Sequence, residues 1–182
     1  MLPNPLRPRP PAWRKWAERD RSWSQLCFRA SARPALVRML LAVSWLSNGK
    51  FWYALIALLP LFADGRGFAC ALRMLLLGGV NLAVYLIVKH HFARPRPFVD
   101  CPGVRARTRA LDEFSFPSGH VLHAVGFSTL LVAYFPHLAW VLWPFVLLVA
   151  LSRVMLGLHY PSDVAVGALI GWIMAHTVLL LL

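Results

Sequence analysis

The stretch SRVMLGLHYPSD, residues 152–163, stands between two long apolar runs of the chain. It places Arg153, His159 and Asp163 within twelve residues, although only 14% of all residues are charged. The apolar runs on either side predict membrane helices. We therefore interpret the rest of the sequence as a framework that brings further basic groups to this point.

The composition indicates a polytopic membrane protein. Of the 182 residues, 59% are hydrophobic, which argues against an ordinary soluble domain. The net charge of +12 does not predict nucleic-acid binding, because most aromatic residues lie within apolar runs and no nucleic-acid motif is present. That charge favours the anionic head groups of the lipid bilayer and phosphate-bearing substrates as partners, and no nucleic acid. The three cysteines form no CxxC pair and are predicted to be free thiols.

The chain divides into two predicted parts. Residues 1–34 are rich in Pro and Arg and are expected to form a basic segment that lies on the lipid head groups. Residues 35–182 are expected to form the membrane-embedded domain. At its start, residues 35–47 are apolar but short and contain Arg38, so an interfacial helix is favoured over a full span. Whether residues 35–47 cross the bilayer stays open.

About five membrane spans are predicted in an all-α bundle, with the interfacial helix preceding them. The first has only thirteen residues, against the roughly 20 that a hydrocarbon core requires. It must include flanking residues in the span or lie in a locally thinned bilayer. In the last span, Gly167 and Gly171 allow close helix packing. We expect this packing within the bundle in preference to a dimer interface. The oligomeric state stays open. The predicted spans are residues 51–63, 71–88, 118–135, 138–151 and 164–182.

Counting spans places the unusual polar groups on one face. Lys89 ends the second span and Ser118 begins the third, so both lie on the same side of the membrane. The third span leaves that side and the fourth returns to it, which brings Arg153 and His159 there, and Asp163 opens the fifth span. The sequence therefore predicts a single polar site at one face of the bundle.

The residue types at this face suit phosphate chemistry. Lys89, Arg96 and Arg153 are cations that match phosphoryl oxygens, and the helix start at Ser118-Gly119 offers free backbone N–H groups to an anion. A histidine can attack phosphorus or carry a proton, and a carboxylate can orient it. His120, His159 and Asp163 supply these groups.

Three motifs resemble those of the type 2 phosphatidic acid phosphatase superfamily. They are Lys89 followed after six residues by Arg96-Pro97, then Pro117-Ser118-Gly119-His120, and finally Ser152-Arg153 with His159 and Asp163 at fixed spacing. All three occur without a substitution and in the usual order. They cover residues 89–163, and the resemblance extends more loosely from about residue 45 to residue 182 by hydropathy.

The resemblance implies a metal-independent lipid phosphatase without a cofactor, which works through a phosphohistidine intermediate. His159 would be the nucleophile, Asp163 would hold it, and His120 would protonate the leaving group. The phosphoryl oxygens would be held by Lys89, Arg96, Ser118, Gly119 and Arg153. Arg94 is interpreted as an interfacial charge, and His90 and His91 as head-group contacts.

Several functions and one question of orientation stay open. Candidate substrates are undecaprenyl diphosphate, phosphatidic acid and phosphatidylglycerol phosphate. A lipid phosphotransferase, a vanadate-dependent haloperoxidase and a non-catalytic lipid-binding or transport protein are the alternatives. We expect an integral protein of the bacterial inner membrane. All 19 Lys and Arg except Arg66 and Arg73 lie near the motif face if residues 35–47 do not cross. The positive-inside rule then favours a cytoplasmic site, whereas many bacterial members of the family are understood to face outward.

Overall fold

The computed structural model describes residues 12–62 and 64–181, and these residues form helices and connecting loops with no strand among them. The all-α prediction is confirmed. A 3-10 turn, Pro136–Leu138, precedes the seventh helix. The helices are α1 (Ala12–Ala30), α2 (Pro34–Leu46), α3 (Gly49–Phe62), α4 (Asp64–Phe92), α5 (Pro97–Asp100), α6 (Gly119–Tyr134), α7 (Ala139–Met155) and α8 (Pro161–Leu181).

Three helical stretches are long and apolar enough to cross a membrane: Gly65–Asp100, Pro136–Met155 and Pro161–Leu181. They contain three of the five predicted spans. The other two predicted spans form α3 and α6, which are apolar but have only 14 and 16 residues. Helix α6 is packed between α4, α7 and α8, and a helix that neighbouring helices shield from lipid need not match the bilayer thickness. The predicted count of five spans is therefore approximate.

Helices α6 and α8 approach closely at two glycines. A Cβ atom at Gly171 would lie 2.2 Å from the carbonyl oxygen of Leu122, and one at Gly167 would lie 2.7 Å from that of Ser118. Only glycine leaves room for backbones this close. The small-residue pattern therefore packs inside the bundle, as predicted. The same contact fixes the start of α6 against α8, where the backbone N–H of Ser118 donates to the carbonyl oxygen of Asp163 at 3.0 Å.

Aromatic packing holds α3 in place. Trp52 is 2% exposed, and its ring centroid lies 5.2 Å from that of Phe127 on α6 and 6.2 Å from that of Phe145 on α7. Buried aromatic side chains contribute large apolar areas and specific ring geometry. This cluster pins the first turns of α3 to the bundle and so fixes Asn48, which immediately precedes α3.

Helix α2 does not cross the bundle. Near its start, Ser31 donates through its hydroxyl to the carbonyl oxygen of Met155, and near its end Ser44 accepts from Arg153. Leu40, between them, packs on Leu156 and Leu158. Because both ends of α2 contact the C-terminal end of α7, residues 35–47 lie at the motif-bearing end of the bundle.

Helix α1 lies at the same end, where it packs against α7 and α8. Arg21 forms an ion pair with Asp100 at 2.7 Å, and Trp16 and Trp23 are exposed. The described part of the basic segment is thus on the motif face, and its contact with head groups stays a prediction. Residues 1–11 of that segment lie outside the described residues.

Candidate active site

The residues singled out by the sequence meet at one end of the bundle. Lys89 is in the last turn of α4, Arg96 precedes α5, Ser118 caps the start of α6, which Gly119 and His120 begin, Arg153 is in the last turn of α7, and Asp163 is in the first turn of α8. His159 lies in the loop between α7 and α8. A cavity of about 360 Å³ is lined by Arg96, Gly119, His120, Arg153 and His159. The shared face expected from counting spans is therefore observed.

The His159 imidazole is held as a defined tautomer. Its Nδ1 lies 2.6 Å from the carbonyl oxygen of Ser115, and a carbonyl only accepts, so Nδ1 carries the hydrogen. The lone pair is then on Nε2, which lies 3.3 Å from Arg96 Nη1. Burial, followed by the charges of Arg153 and Arg96, lowers the pKa of His159 well below 6.5. The ring is thus neutral at physiological pH, and the lone pair of Nε2 accepts from Arg96 Nη1.

Asp163 lies beside His159 without a hydrogen bond between them. Its Oδ2 is 3.7 Å from His159 Nδ1, which is too far for a hydrogen bond. The sequence-based expectation that Asp163 accepts directly from His159 therefore needs correction, since Ser115 occupies that position. The reason is that Asp163 is already engaged: Oδ2 accepts from the Tyr160 backbone N–H at 2.8 Å, and Oδ1 accepts from Arg94 Nη1 at 2.8 Å.

A carboxylate occupies the space between the predicted phosphate-binding cations. Asp112 Oδ1 lies 2.6 Å from both Lys89 Nζ and Arg96 Nη2, and Asp112 Oδ2 accepts from the Tyr85 hydroxyl at 2.5 Å. Burial alone would raise the pKa of Asp112, but hydrogen bonds from Lys89, Tyr85 and Arg96 outweigh it and lower the pKa to about 2. These three side chains therefore form an anion cage, which we call the Asp112 cage.

Two further donors near the cage have no partner within the described part of the chain. They are Arg153 Nε and the Ser118 hydroxyl, and both are buried. Arg153 is anchored through Nη1, which donates to Ser44 Oγ at 2.5 Å. A buried donor without an acceptor is unfavourable. Arg153 lines the cavity, so an anion bound there would offer its Nε an acceptor.

Gly119 gives Tyr85 room at the start of α6. A Cβ atom at Gly119 would lie 2.8 Å from the Tyr85 ring. The Tyr85 hydroxyl in turn accepts from Lys89 Nζ at 2.7 Å and donates to Asp112. Glycine at this position therefore maintains the cage as well as opening the helix N-terminus to an anion.

His120 lines the same cavity. Its Nε2 lies 2.8 Å from Asn48 Oδ1, so the amide oxygen accepts and fixes the orientation of the ring. Asn48 comes from the turn between α2 and α3, a contact separated by 72 positions in the chain. Asn48 was not among the predicted site residues.

Sequence reasoning missed or misassigned four other residues at this site. Tyr85 and Asp112 complete the cage, and Ser44 anchors Arg153. Arg94 was interpreted as an interfacial charge, but it contacts Asp163. The Arg94-Pro95-Arg96 sequence next to a matched motif was the one available signal.

Away from the polar groups, the cavity has an apolar wall between α3 and α4. Apolar residues from α3, α4 and α6 form this wall: Trp52, Ile56, Met74, Leu75, Leu82 and Phe127. Ligand sites usually combine such a wall with a few placed polar groups. Among residues 12–62 and 64–181, no three His, Cys, Asp or Glu side chains converge as a metal site. Cys27, Cys70 and Cys101 are free, as predicted.

Comparison with protein families gives one family match. The model of the PAP2 superfamily matches residues 68–182. Decaprenylphosphoryl-5-phosphoribose phosphatase of Mycobacterium tuberculosis is 37% identical over 91 residues, which are 49% of this chain and 48% of the relative. The bacitracin transport permease protein BcrC of Bacillus licheniformis is 33% identical over 76 residues, 42% of this chain and 37% of the relative. These matches span half or less of the curated relatives' length.

Two solved structures share the fold. A transmembrane PAP2 type phosphatidylglycerolphosphate phosphatase from Bacillus subtilis superposes with a TM-score of 0.76 at 23% identity, covering 92% of this chain and 86% of the other. LpxE of Aquifex aeolicus superposes with a TM-score of 0.73 at 27% identity, covering 87% of this chain and 93% of the other. The architecture seen here is therefore that of known membrane proteins.

Proposed function

The chain belongs to the PAP2 superfamily, and from this premise we propose that it is an integral-membrane phosphatase acting on a lipid phosphate or diphosphate. The relatives that carry the word phosphatase in their names support this class of reaction. The apolar wall beside the polar cavity supports a lipid as the substrate. The lipid tail would lie along α3 and α4 while its phosphate enters the Asp112 cage.

One observation carries the proposal: the cage already holds an anion next to the nucleophile. Arg96 donates from Nη2 to the Asp112 carboxylate and contacts His159 Nε2 through Nη1. A phosphoryl group that replaces the carboxylate would therefore lie on the same guanidinium as the attacking nitrogen. Placing the nucleophile and a charged acceptor together is the main task in phosphoryl transfer.

The proposed reaction has two steps. In the first, the lone pair of His159 Nε2 forms a bond to phosphorus while the bond from phosphorus to the lipid oxygen breaks, and His120, in its imidazolium form, donates a proton to that oxygen and becomes neutral. In the second, His120 takes a proton from water, the water oxygen attacks phosphorus, and the N–P bond breaks to release inorganic phosphate. Lys89, Arg96 and Arg153, with the α6 N-terminus at Ser118 and Gly119, stabilise the negative oxygens throughout.

The substrate and location are part of the proposal. Undecaprenyl diphosphate, phosphatidic acid and phosphatidylglycerol phosphate are the candidate lipids, and the bacterial inner membrane is the expected location. The three long apolar helices support a multi-pass membrane protein. The cage binds the part that all three lipids share, so the apolar wall is the region that would distinguish them.

A lipid panel tests the function. The purified protein in detergent with a chelator should release inorganic phosphate from at least one of the three lipids, and His159→Ala should release none. His137→Ala is a matched control, because His137 lies in the exposed 3-10 turn that precedes α7 and should retain full activity. Undiminished release by His159→Ala would refute the mechanism. Absence of release by the unmodified protein from the whole panel would refute the substrate class.

A further inference from the structure

We propose that Arg94 and Asp20 are positioning residues that hold Asp163 next to His159, so that helix α1 is part of the catalytic framework. This inference rests on the proposed function, because it assigns a task to a carboxylate beside the proposed nucleophile. Neither Arg94 nor Asp20 belongs to the three sequence motifs.

Arg94 bridges three elements with one guanidinium. Nη1 donates to Asp163 Oδ1 at 2.8 Å and to the Ser162 hydroxyl at 2.7 Å. Nη2 donates to Asp20 Oδ2 at 2.7 Å, and the guanidinium lies 3.8 Å from the centre of the Tyr160 ring. The side chain therefore contacts most of the stretch from Tyr160 to Asp163. Arginine suits this task because its planar fork can pair with two carboxylates and stack on an aromatic ring.

Asp20 anchors this arrangement from α1. It is 9% exposed, and its Oδ1 accepts from the backbone N–H of Ser162 at 3.1 Å. Its Oδ2 also accepts from the Ser162 hydroxyl. A carboxylate that accepts from the first turn of a helix is favoured by the free N–H groups there. Asp20 thus fixes the start of α8, which carries Asp163, as well as the arginine.

The charge balance requires Arg94. Asp163 is fully buried, and Asp20 pairs with the same arginine, so a single cation joins two carboxylates. A buried charge that loses its partner is strongly unfavourable. Without Arg94, the Asp163 carboxylate would either move away from its position 3.7 Å from His159 Nδ1 or take up a proton. In both cases the negative charge beside the ring is lost.

That place matters because of the intermediate. When Nε2 bonds to phosphorus, Nδ1 keeps its hydrogen, so the ring gains a positive charge during the step. The negative charge of Asp163 stabilises this developing charge more than it stabilises the neutral ring before attack. Displacing Asp163 should therefore lower kcat and leave substrate binding nearly unchanged.

The kinetics of matched variants test whether Arg94 and Asp20 position Asp163 or only attach α1 to the rest of the bundle. Arg94→Gln should lower kcat about 10- to 100-fold, as loss of an outer partner of a reactive group commonly does, with KM within about threefold. Arg94→Lys should restore part of kcat, and Asp20→Asn should lie between Arg94→Gln and the unmodified protein. The control is Arg21→Gln, which removes a different ion pair of α1, the one to Asp100, and should keep kcat within about twofold. Equal losses for Arg94→Gln and Arg21→Gln, or a loss confined to KM, would overturn the proposal.

Calorimetric titration with vanadate and phosphate provides a readout without turnover. Vanadate can bond to His159 Nε2 and so generates the ring charge, whereas inorganic phosphate only occupies the cage. Arg94→Gln should weaken vanadate binding about tenfold relative to phosphate binding, since analogues of the transition state report such losses. Equal weakening of both, or of neither, would overturn the inference while leaving the phosphatase proposal intact. Failure of the unmodified protein to bind either ion and to release phosphate would overturn both.

Discussion

Lys89 and Asp112 form a 2.6 Å ion pair at the point where the substrate phosphate is proposed to bind. Arg96 pairs with the same carboxylate oxygen, so the phosphate has to displace Asp112 from both cations. The carboxylate and the phosphate therefore compete for one site. Asp112 lies in the loop between α5 and α6, and its side chain has to leave the two cations for the exchange to occur.

Removing this competition should tighten phosphate binding. Asp112→Asn keeps the size of the side chain but removes its charge, so we expect the inhibition constant of inorganic phosphate to fall about tenfold, equivalent to about 1.4 kcal/mol. Measuring product inhibition at several phosphate concentrations checks this. The control is Glu113→Gln, a neighbouring exposed residue, which should leave the constant unchanged. Weaker inhibition in Asp112→Asn would show that the carboxylate helps to hold the phosphate.

The same ion pairs should make stability depend on pH at the acid end. The folded-state pKa of Asp112 is about 2, below its ordinary 3.8, so its contribution to stability is fully present above about pH 4. It is lost as the pH falls from there to about 2. The melting temperatures of the unmodified protein and of Asp112→Asn should therefore differ at pH 5 and converge near pH 2. A difference that stays constant over this range would contradict the assignment.

Two glycine variants should separate an effect on folding from an effect on substrate binding. Gly171→Val would place atoms against the carbonyl oxygen of Leu122, 2.2 Å from the new Cβ, and should destabilise the bundle by about 1–3 kcal/mol or more. Gly79→Val meets nothing within 4 Å of its Cβ and should fold normally. Because Gly79 lines the cavity, the valine should raise KM for a long-tailed lipid phosphate. Thermal unfolding in detergent and kinetics on two tail lengths measure these effects.

Labelling should place the motif face in the cytoplasm. The described part of the basic segment lies on that face, which strengthens the positive-inside argument. Cys101 is 4% exposed and is not a suitable target, so the experiment uses Ala106→Cys and His137→Cys in a cysteine-free background. Both positions are exposed, in the loop before α6 and in the turn before α7. An impermeant reagent outside intact cells should label only His137→Cys; labelling of Ala106→Cys alone would reverse the orientation.

The motif residues were predictable because each lies at a helix end whose position follows from hydropathy. The shared membrane face of Lys89, Ser118 and Arg153 followed from the number of membrane crossings between them. The short helices α3 and α6 made the number of spans less certain, since a helix shielded by protein lacks the length signal of a lipid-facing one.

The supporting residues were not predictable in this way. The Arg94–Asp20 contact joins positions 74 apart, and it depends on α1 folding back over the start of α8. Asp112 reaches the cage only because of the path of a loop without regular structure. Neither path leaves a periodic pattern in the sequence. The resemblance implied that Asp163 holds His159, but the motif does not reveal that the carbonyl of Ser115 lies closer to Nδ1.

That carbonyl makes the protonation state of the nucleophile tolerant of mutation. The acceptor for His159 Nδ1 is a main-chain oxygen, which every amino acid supplies, so replacing the Ser115 side chain does not delete it. A triad built from a side-chain carboxylate loses its tautomer control with a single codon change. Here that control depends on the path of the backbone. A substitution at Ser115 should therefore preserve the tautomer of His159 as long as the loop keeps its course.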